Sequence, residues 1–330
     1  MKCVISPFNT CYLNIASEEY FLRTFEEDVF YLYINEPCII IGRNQNAFAE
    51  INSEYVEKNN IAVVRRNSGG GAVYHDQGNL NFGFITKDKR KSIDEVFIEF
   101  TTPILNVLKA LGVNAEFSGR NDLIIDGKKF SGNAQYRAEG KVMLHGTLLF
   151  SADLEKVSKS LNADPGKFNG KSITSVRSRV TNILPYLSAK MSMEEFSEAI
   201  ISEVFSMFPT SYMYELTEED RNKIKVLSEK KYSTREWVYG SASVFTYSHS
   251  LKYNRGIVDI KIQIDAGIIK EMRIYGDFFG EKELSEILPL FAGVPYSKGA
   301  IMKMLSEISI SDYIFGLSND EFVEYLFNFE

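Results

Sequence analysis

Residues Val63–Asn81 read VVRRNSGGGAVYHDQGNLN: a strand-like apolar lead, two arginines, three consecutive glycines, then Tyr, His, Asp and Asn in close succession. Gly69, Gly70 and Gly71 give up side-chain burial and carry the largest backbone entropy cost on folding, so bare backbone is needed there. Two readings follow. Glycines leaving a strand expose consecutive backbone N–H groups that bind phosphate oxygens, with Arg65 or Arg66 supplying positive charge; or the triplet is a tight turn in a β-rich core. The run fits neither G-x-x-x-x-G-K-[ST] nor a strand-to-helix G-x-G-x-x-G. Tyr74, His75, Asp76 and Asn79 crowd more polar side chains behind the glycines than a simple turn uses, which favours a ligand site. His75 and Asp76, as neighbours on a strand, point to opposite faces and do not form a base–carboxylate pair. They are read as site-lining residues, with His75 hydrogen-bonded inside the loop and Asp76 capping a turn.

Working outward, residues 14–25 suit an amphipathic helix, and VFYLYIN (29–35) and CIIIGRN (38–44) read as a hairpin around Glu36-Pro37. Asn52 is a helix N-cap, 61–67 and 80–86 are strands flanking the glycine loop, and Ser92 with Glu95 forms a capping box ahead of a helix that ends at Gly112. Its apolar stripe must cover a sheet. The segments 122–126, 128–137 and 141–150 make an antiparallel meander with an Asp126-Gly127 turn. A helix near 153–161 precedes a polar, glycine-bearing stretch, 162–182, which reads as a mobile loop. After a helix at 192–207 and a charged stretch at 217–237, the texture changes near 245. There follow a hairpin of strands 255–265 and 267–279, and helices near 281–291, 297–307 and 319–327. The expected division is therefore 1–245 and 246–330, in keeping with a length of 330 residues.

Composition excludes several classes. With 44 acidic against 37 basic side chains, the formal net charge of −7 gives no broad basic footprint for nucleic acid. No stretch approaches the roughly 20 apolar residues of a membrane span. Cys3, Cys11 and Cys38 are odd in number and lack C-x-x-C spacing, which argues against a disulfide framework or a zinc site and for a reducing cytoplasm.

The meander carries the second focus. In KKFSGNAQYR, alternation puts Lys129, Ser131 and Asn133 on one face and Lys128 and Phe130 on the other. Either the two lysines are a solvated hairpin tip, or Lys129 faces a pocket and steadies charge there. His145, beside Gly146, is a structural histidine or a site residue. Lys171, Arg177 and Arg179 lie in the loop, where they could close over a nucleotide.

RRNSGGGAVYHDQGNLNF, GRNDLIIDGKKFSGNAQYR, HGTLLF and SITSVRSRVTN, in this order and spacing, resemble the lipoate–protein ligases of the lipoate/biotin ligase superfamily over essentially the whole chain. The resemblance implies an α+β fold. Its large catalytic domain would have mixed, mostly antiparallel sheets flanked by helices, followed by a small C-terminal α/β domain. It implies ATP-dependent activation of lipoate to lipoyl-AMP with Mg2+, releasing pyrophosphate, then transfer to a lysine of lipoyl domains of 2-oxoacid dehydrogenase complexes or of the glycine-cleavage H protein. Octanoate is the other acyl substrate it allows. Residue by residue, Arg66, Gly71, Ala72, Val73, Tyr74 and Lys129 match adenylate-binding positions, and Arg66, Ser68, Asn79, Tyr33 and Lys129 match positions around lipoate. Lys129 is the implied catalytic lysine. Asn121 and Asp122 join His75, Asp76 and His145 as site-lining residues, with Asp122 a candidate metal ligand. Two rivals are an octanoyl or lipoyl transferase needing no ATP and a non-catalytic binder of an acyl or adenylate ligand. A biotin ligase fits less well, because GRNQN is not that family's arginine-rich glycine loop.

Overall fold

The computed structural model describes residues 1–119, 121–162, 179–239, 247–265 and 267–327. They fall into two compact units, one of Met1–Ile41, Ala47–Asn67 and Ala72–Val238, the other of Gly42–Asn46, Ser68–Gly71 and Tyr239–Glu330. The glycine triplet thus groups with the C-terminal part of the chain.

The first unit begins with β1 (Lys2–Ile5), α1 (Cys11–Thr24), β2 (Val29–Ile34) and β3 (Cys38–Ile41). After α2 (Ser53–Lys58), capped by the Asn52 side chain accepting from the Tyr55 N–H, come β4 (Ala62–Arg65), β5 (Val73–His75) and β6 (Asn79–Lys87). Helix α3 (Ile93–Ala110) starts on the Ser92/Glu95 capping box, and its apolar stripe buries Val96, Phe97, Phe100 and Ile104. The meander is β7 (Ala115–Ser118), β8 (Asp122–Ile125), β9 (Lys128–Ala138) and β10 (Lys141–Leu149). Helices α4 (Leu154–Ser160) and α5 (Met193–Met207), strand β11 (Tyr212–Met213), and helices α6 (Glu218–Leu227) and α7 (Arg235–Tyr239) complete it.

Eight strands form one mixed sheet in the order β11-β1-β2-β6-β10-β9-β8-β7, in which only the β11, β1 and β2 pairings are parallel. A smaller sheet has the order β4-β3-β5. Consequently β2 and β3 are not a hairpin. Glu36-Pro37 is a crossover between sheets, where the Glu36 N–H donates to the Asn9 carbonyl at 2.7 Å. One face of the large sheet packs on α3, with Phe84 stacked on Phe100 at 5.1 Å. The other face contributes Tyr31, Tyr33, Ile85 and Met143 to a core shared with α1 and with Cys38, Ile40 and Val64 of the small sheet. Helix α1 is therefore buried on nearly every side, from Asn14 to Leu22. Its polar side is buried too, because Glu18 meets Tyr33 and His145 of the large sheet and Glu19 is covered by Asn67, Lys231 and Tyr232.

In the second unit, β12 (Tyr247–Tyr253), β13 (Gly256–Asp265) and β14 (Ile268–Gly276) form an antiparallel sheet. Helices α8 (Leu284–Ile287), α9 (Lys298–Met304) and α10 (Asn319–Phe327) bury Leu284, Ile301, Phe322 and Leu326 against Val258, Ile260 and Ile274. Among the described residues no helix is long and apolar enough to cross a membrane.

Candidate functional site

Residues directly opposite in an antiparallel pair share a face. Tyr33, Asn81 and Thr147 make one row across β2, β6 and β10, and Tyr31, Gly83, His145 and Ala134 make the next. Lys129 joins this face through a bulge. Leu123 pairs with Ser131 but Ile124 pairs with Lys129, so Phe130 is an extra residue and the alternation of β9 reverses there. Lys129 consequently lies over Gly132, where a Cβ would sit 2.9 Å from Nζ. It does not share a face with Ser131 and Asn133, as simple alternation implies; those two side chains bond each other at 3.3 Å. The Gly132 N–H in turn donates to Thr147 Oγ1 at 3.3 Å, tying Lys129's strand to the row of Tyr33 and Asn81.

Helix α1 supplies a residue that the sequence alone does not mark. Glu18 accepts from Tyr33 Oη at 3.0 Å, and its Oε2 lies 2.8 Å from His145 Nδ1. Glu18 is 2% exposed, so its charge is answered inside the protein. Arg66, 5% exposed, supplies the countercharge: burial draws its guanidinium down to about 10, and Glu18 opposes that fall. Burial, reinforced by Glu18, raises the Tyr33 phenol well above its usual value. No spacing signal points to Glu18; only the three-layer packing brings it to the sheet face.

His75 sits deeper in the same neighbourhood. Burial first, then Arg66 and His145, lower its imidazole to about 3, so the ring is neutral at pH 7. Asn14 Nδ2 donates to Asn35 Oδ1 at 2.7 Å, which leaves the Asn35 amide nitrogen, 3.0 Å away, as donor to His75 Nδ1. The ring proton therefore resides on Nε2. That N–H, together with Tyr74 Oη and Asn79 Oδ1, is buried with hydrogen-bonding capacity left over. Asn79 spends its amide on Asn81 Oδ1 at 2.8 Å.

Other candidates have structural partners. Asp76 accepts from the N–H groups of Gly78 and Asp153, both at 2.9 Å, and so closes a turn without touching a proton-transfer partner. Asn121 bridges to Asn133, donating to its carbonyl at 2.6 Å. Asp122 Oδ1 is 2.7 Å from Lys129 Nζ, with both side chains about one-third exposed. Among the described residues no group of three His, Cys, Asp or Glu side chains could hold a metal ion. Arg179 is exposed and adjoins Val180, which bridges to Lys129, whose carbonyl accepts from the Thr181 N–H at 2.8 Å. Lys171 and Arg177, and most of the expected mobile loop, lie outside the described residues.

In the second unit the glycines have distinct reasons. A Cβ on Gly69 would sit 2.2 Å from the Phe278 carbonyl oxygen, and Gly70, at φ 89°, donates its N–H to that same oxygen at 3.2 Å. Chain packing explains these two. A Cβ on Gly71 would meet nothing within 4 Å, so packing does not require glycine there and the space beside its Cα can admit a ligand. Ser68, 1% exposed, accepts from the Arg43 N–H through its carbonyl at 2.8 Å; Ala72 and Val73 are half-buried in the first unit. A separate apolar cleft of about 600 Å³, between Leu32, Ile34, Leu80, Met193 and Ile201, opens on the opposite face of the large sheet.

Known proteins are similar to this chain over most of its length. Residues 10–205 match the lipoyl protein ligase A/B catalytic domain, and residues 242–326 match the bacterial lipoate protein ligase C-terminus. Lipoate-protein ligase LplJ of Bacillus subtilis is 41% identical over 319 residues, covering 96% of each chain. Two solved structures superpose closely. The bipartite lipoate protein ligase of Thermoplasma acidophilum, studied with its E2 lipoyl domain, has a TM-score of 0.65 at 30% identity, over 74% of this chain and 98% of that one. A lipoate-protein ligase A bound with ATP has a TM-score of 0.63 at 29% identity, over 73% and 99%. With a catalytic-domain match over more than half its length and a relative this similar end to end, the chain belongs to the lipoate–protein ligase family.

Proposed function

We propose that this enzyme activates lipoate with ATP, releasing pyrophosphate, and transfers the lipoyl group from lipoyl-AMP to a lysine of an acceptor lipoyl domain. The observation that supports it best is the β9 bulge, which puts Lys129 on the sheet face of Tyr33, Asn81 and His145. In the first step the lipoate carboxylate attacks the α-phosphorus of ATP and pyrophosphate leaves. Lys129 leaves Asp122 for the carboxylate and phosphate oxygens and offsets the charge that builds between them. In the second step the acceptor amine attacks the acyl carbon, AMP departs and the amine loses a proton. Arg66, Ser68, Asn79 and Tyr33 are assigned to the lipoyl group, and Gly71, Ala72, Val73 and Tyr74 to the nucleotide. The neutral His75 Nε2–H and the Asn79 Oδ1 suit a polar ligand group better than an alkyl chain.

Mg2+ enters with ATP in this reading. Asp122, already paired with Lys129, is a single carboxylate and does not make a protein cage for the ion, so no step is assigned to a protein-held metal. The acceptors expected are lipoyl domains of 2-oxoacid dehydrogenases and the glycine-cleavage H protein, the setting is the cytoplasm, and residues 1–245 act as the catalytic part with 246–330 accessory. A cysteine-based transferase is disfavoured by the thiols themselves. All three are buried, and burial pushes Cys3 up to about 11 and Cys38 well above its usual value, whereas a nucleophile needs a thiolate. Incubation with ATP, Mg2+, lipoate and an apo lipoyl domain tests the proposal by mass spectrometry. One lipoyl mass shift that requires ATP is expected; a shift without ATP would support the transferase instead.

A further inference from the structure

Just ahead of the glycine triplet, the stem Arg65–Asn67 is gripped by a stretch of chain more than 160 positions away. Trp237 Nε1 donates to the Arg65 carbonyl at 2.8 Å, while Arg65 Nη2 returns a bond to the Val238 carbonyl at 2.6 Å. Asn67 donates to Glu19 Oε2 at 3.1 Å and to Tyr232 Oη at 2.7 Å, and its Oδ1 accepts from Lys231 Nζ at 3.0 Å. Lys231 also bonds Glu19 Oε2 at 2.5 Å and lies 4.1 Å above the Trp237 ring. The Tyr232 hydroxyl donates to Glu19 as well, and Arg23 holds the other Glu19 oxygen at 2.8 Å. Residues Ser228–Tyr232 form a π-helical turn, an irregularity that aims Lys231 and Tyr232 inward together.

A buried ion pair is a poor stabiliser compared with apolar residues of the same volume, but it specifies one geometry. Here that geometry brackets Arg66, whose guanidinium meets the charge of Glu18. Adjacent glutamates of α1 thus serve different clusters: Glu18 reaches Tyr33 and His145, and Glu19 reaches the loop stem.

We propose that Glu19, Lys231, Tyr232 and Trp237 are positioning residues that hold the Arg65–Asn67 stem so that Arg66 is aligned for adenylate formation. This rests on the ligase reading above. The test is the double substitution Glu19→Gln/Lys231→Met, which removes both charges together and leaves neither buried alone. Wild-type enzyme must first show lipoate-dependent ATP–pyrophosphate exchange; without it the ligase reading fails, and the clamp is not at issue. In the double variant, the thermal midpoint is expected to stay within a few degrees of wild type. The KM for lipoate or ATP is expected to rise at least about tenfold while the KM for the acceptor domain is unchanged, a split that a loss of folded enzyme does not produce. Unchanged KM values for both small substrates in the folded variant overturn the proposal. Should the double variant not fold, Trp237→Phe keeps an aromatic ring under Lys231 and removes the Nε1 bond to Arg65. A rise of about threefold or more in the same KM supports the clamp, and a wild-type KM overturns it.

Discussion

At the residue scale, the three glycines that dominate the sequence separate into two kinds. Gly69 and Gly70 are glycine because the Phe278 carbonyl presses on one and the other holds a left-handed φ; at Gly71 a side chain would meet open space. Gly69→Ala should destabilise the protein by about 1–3 kcal/mol, since a backbone oxygen rather than a flexible side chain is in the way. Gly71→Ala should leave stability within about 0.5 kcal/mol and raise the KM for ATP. Denaturant unfolding and steady-state kinetics on the two variants check the split; equal loss of stability would remove the distinction. The sequence announced that bare backbone was needed here but not for whom, because the partner at Phe278 lies far along the chain. Lys129 shows the converse limit. The family resemblance singles it out, but its face was not legible, because one extra residue in β9 inverts an alternation that looks regular in the one-dimensional pattern.

At the element scale, most helices and strands were legible because they carry local signals: the Asn52 cap, the Ser92/Glu95 box, the Asp126-Gly127 turn, the apolar stripe of α3. Helix α1 was legible as a helix but not as the middle layer, and the split of β2 and β3 between sheets was hidden by a Glu-Pro turn that also suits a hairpin. The same burial sets a pH dependence. His75, lowered to about 3, is neutral in the fold and protonated in the unfolded chain below about 6.5, so stability is full above that value and falls as the pH drops toward 3. Glu19 behaves alike at lower pH. Lys231 and its hydrogen bonds outweigh the cost of burial and bring the carboxyl down to about 2, so its contribution is present above about 4.5 and lost toward 2. Between about pH 6.5 and 4.5 the loss should run near 1.4 kcal/mol per unit from His75 alone, roughly the worth of one pKa unit. Urea midpoints at about pH 7, 6 and 5 should show this slope, and His75→Gln should flatten it; a flat wild-type profile would mean the ring is not held neutral.

At the scale of the whole molecule, the family match covers both parts of the chain, while Lys129 and several residues assigned above to the lipoyl group lie on one face of one sheet. Tyr33, Asn81, His145 and Lys129 come from separate strands, and α1 and the Arg66 stem approach the same neighbourhood through Glu18. Such convergence is invisible in composition and only partly visible in motifs, since Glu18 and the 228–238 clamp belong to none of the motifs that mark the family. Lipoate-dependent ATP–pyrophosphate exchange by the wild-type enzyme and by Lys129→Ala isolates adenylation from acceptor binding. Loss of one charge-stabilising contact on the transition state is worth roughly 3 kcal/mol or more, so the variant should exchange at least about 100-fold more slowly while remaining folded. Exchange by the variant at the wild-type rate would remove Lys129 from adenylation.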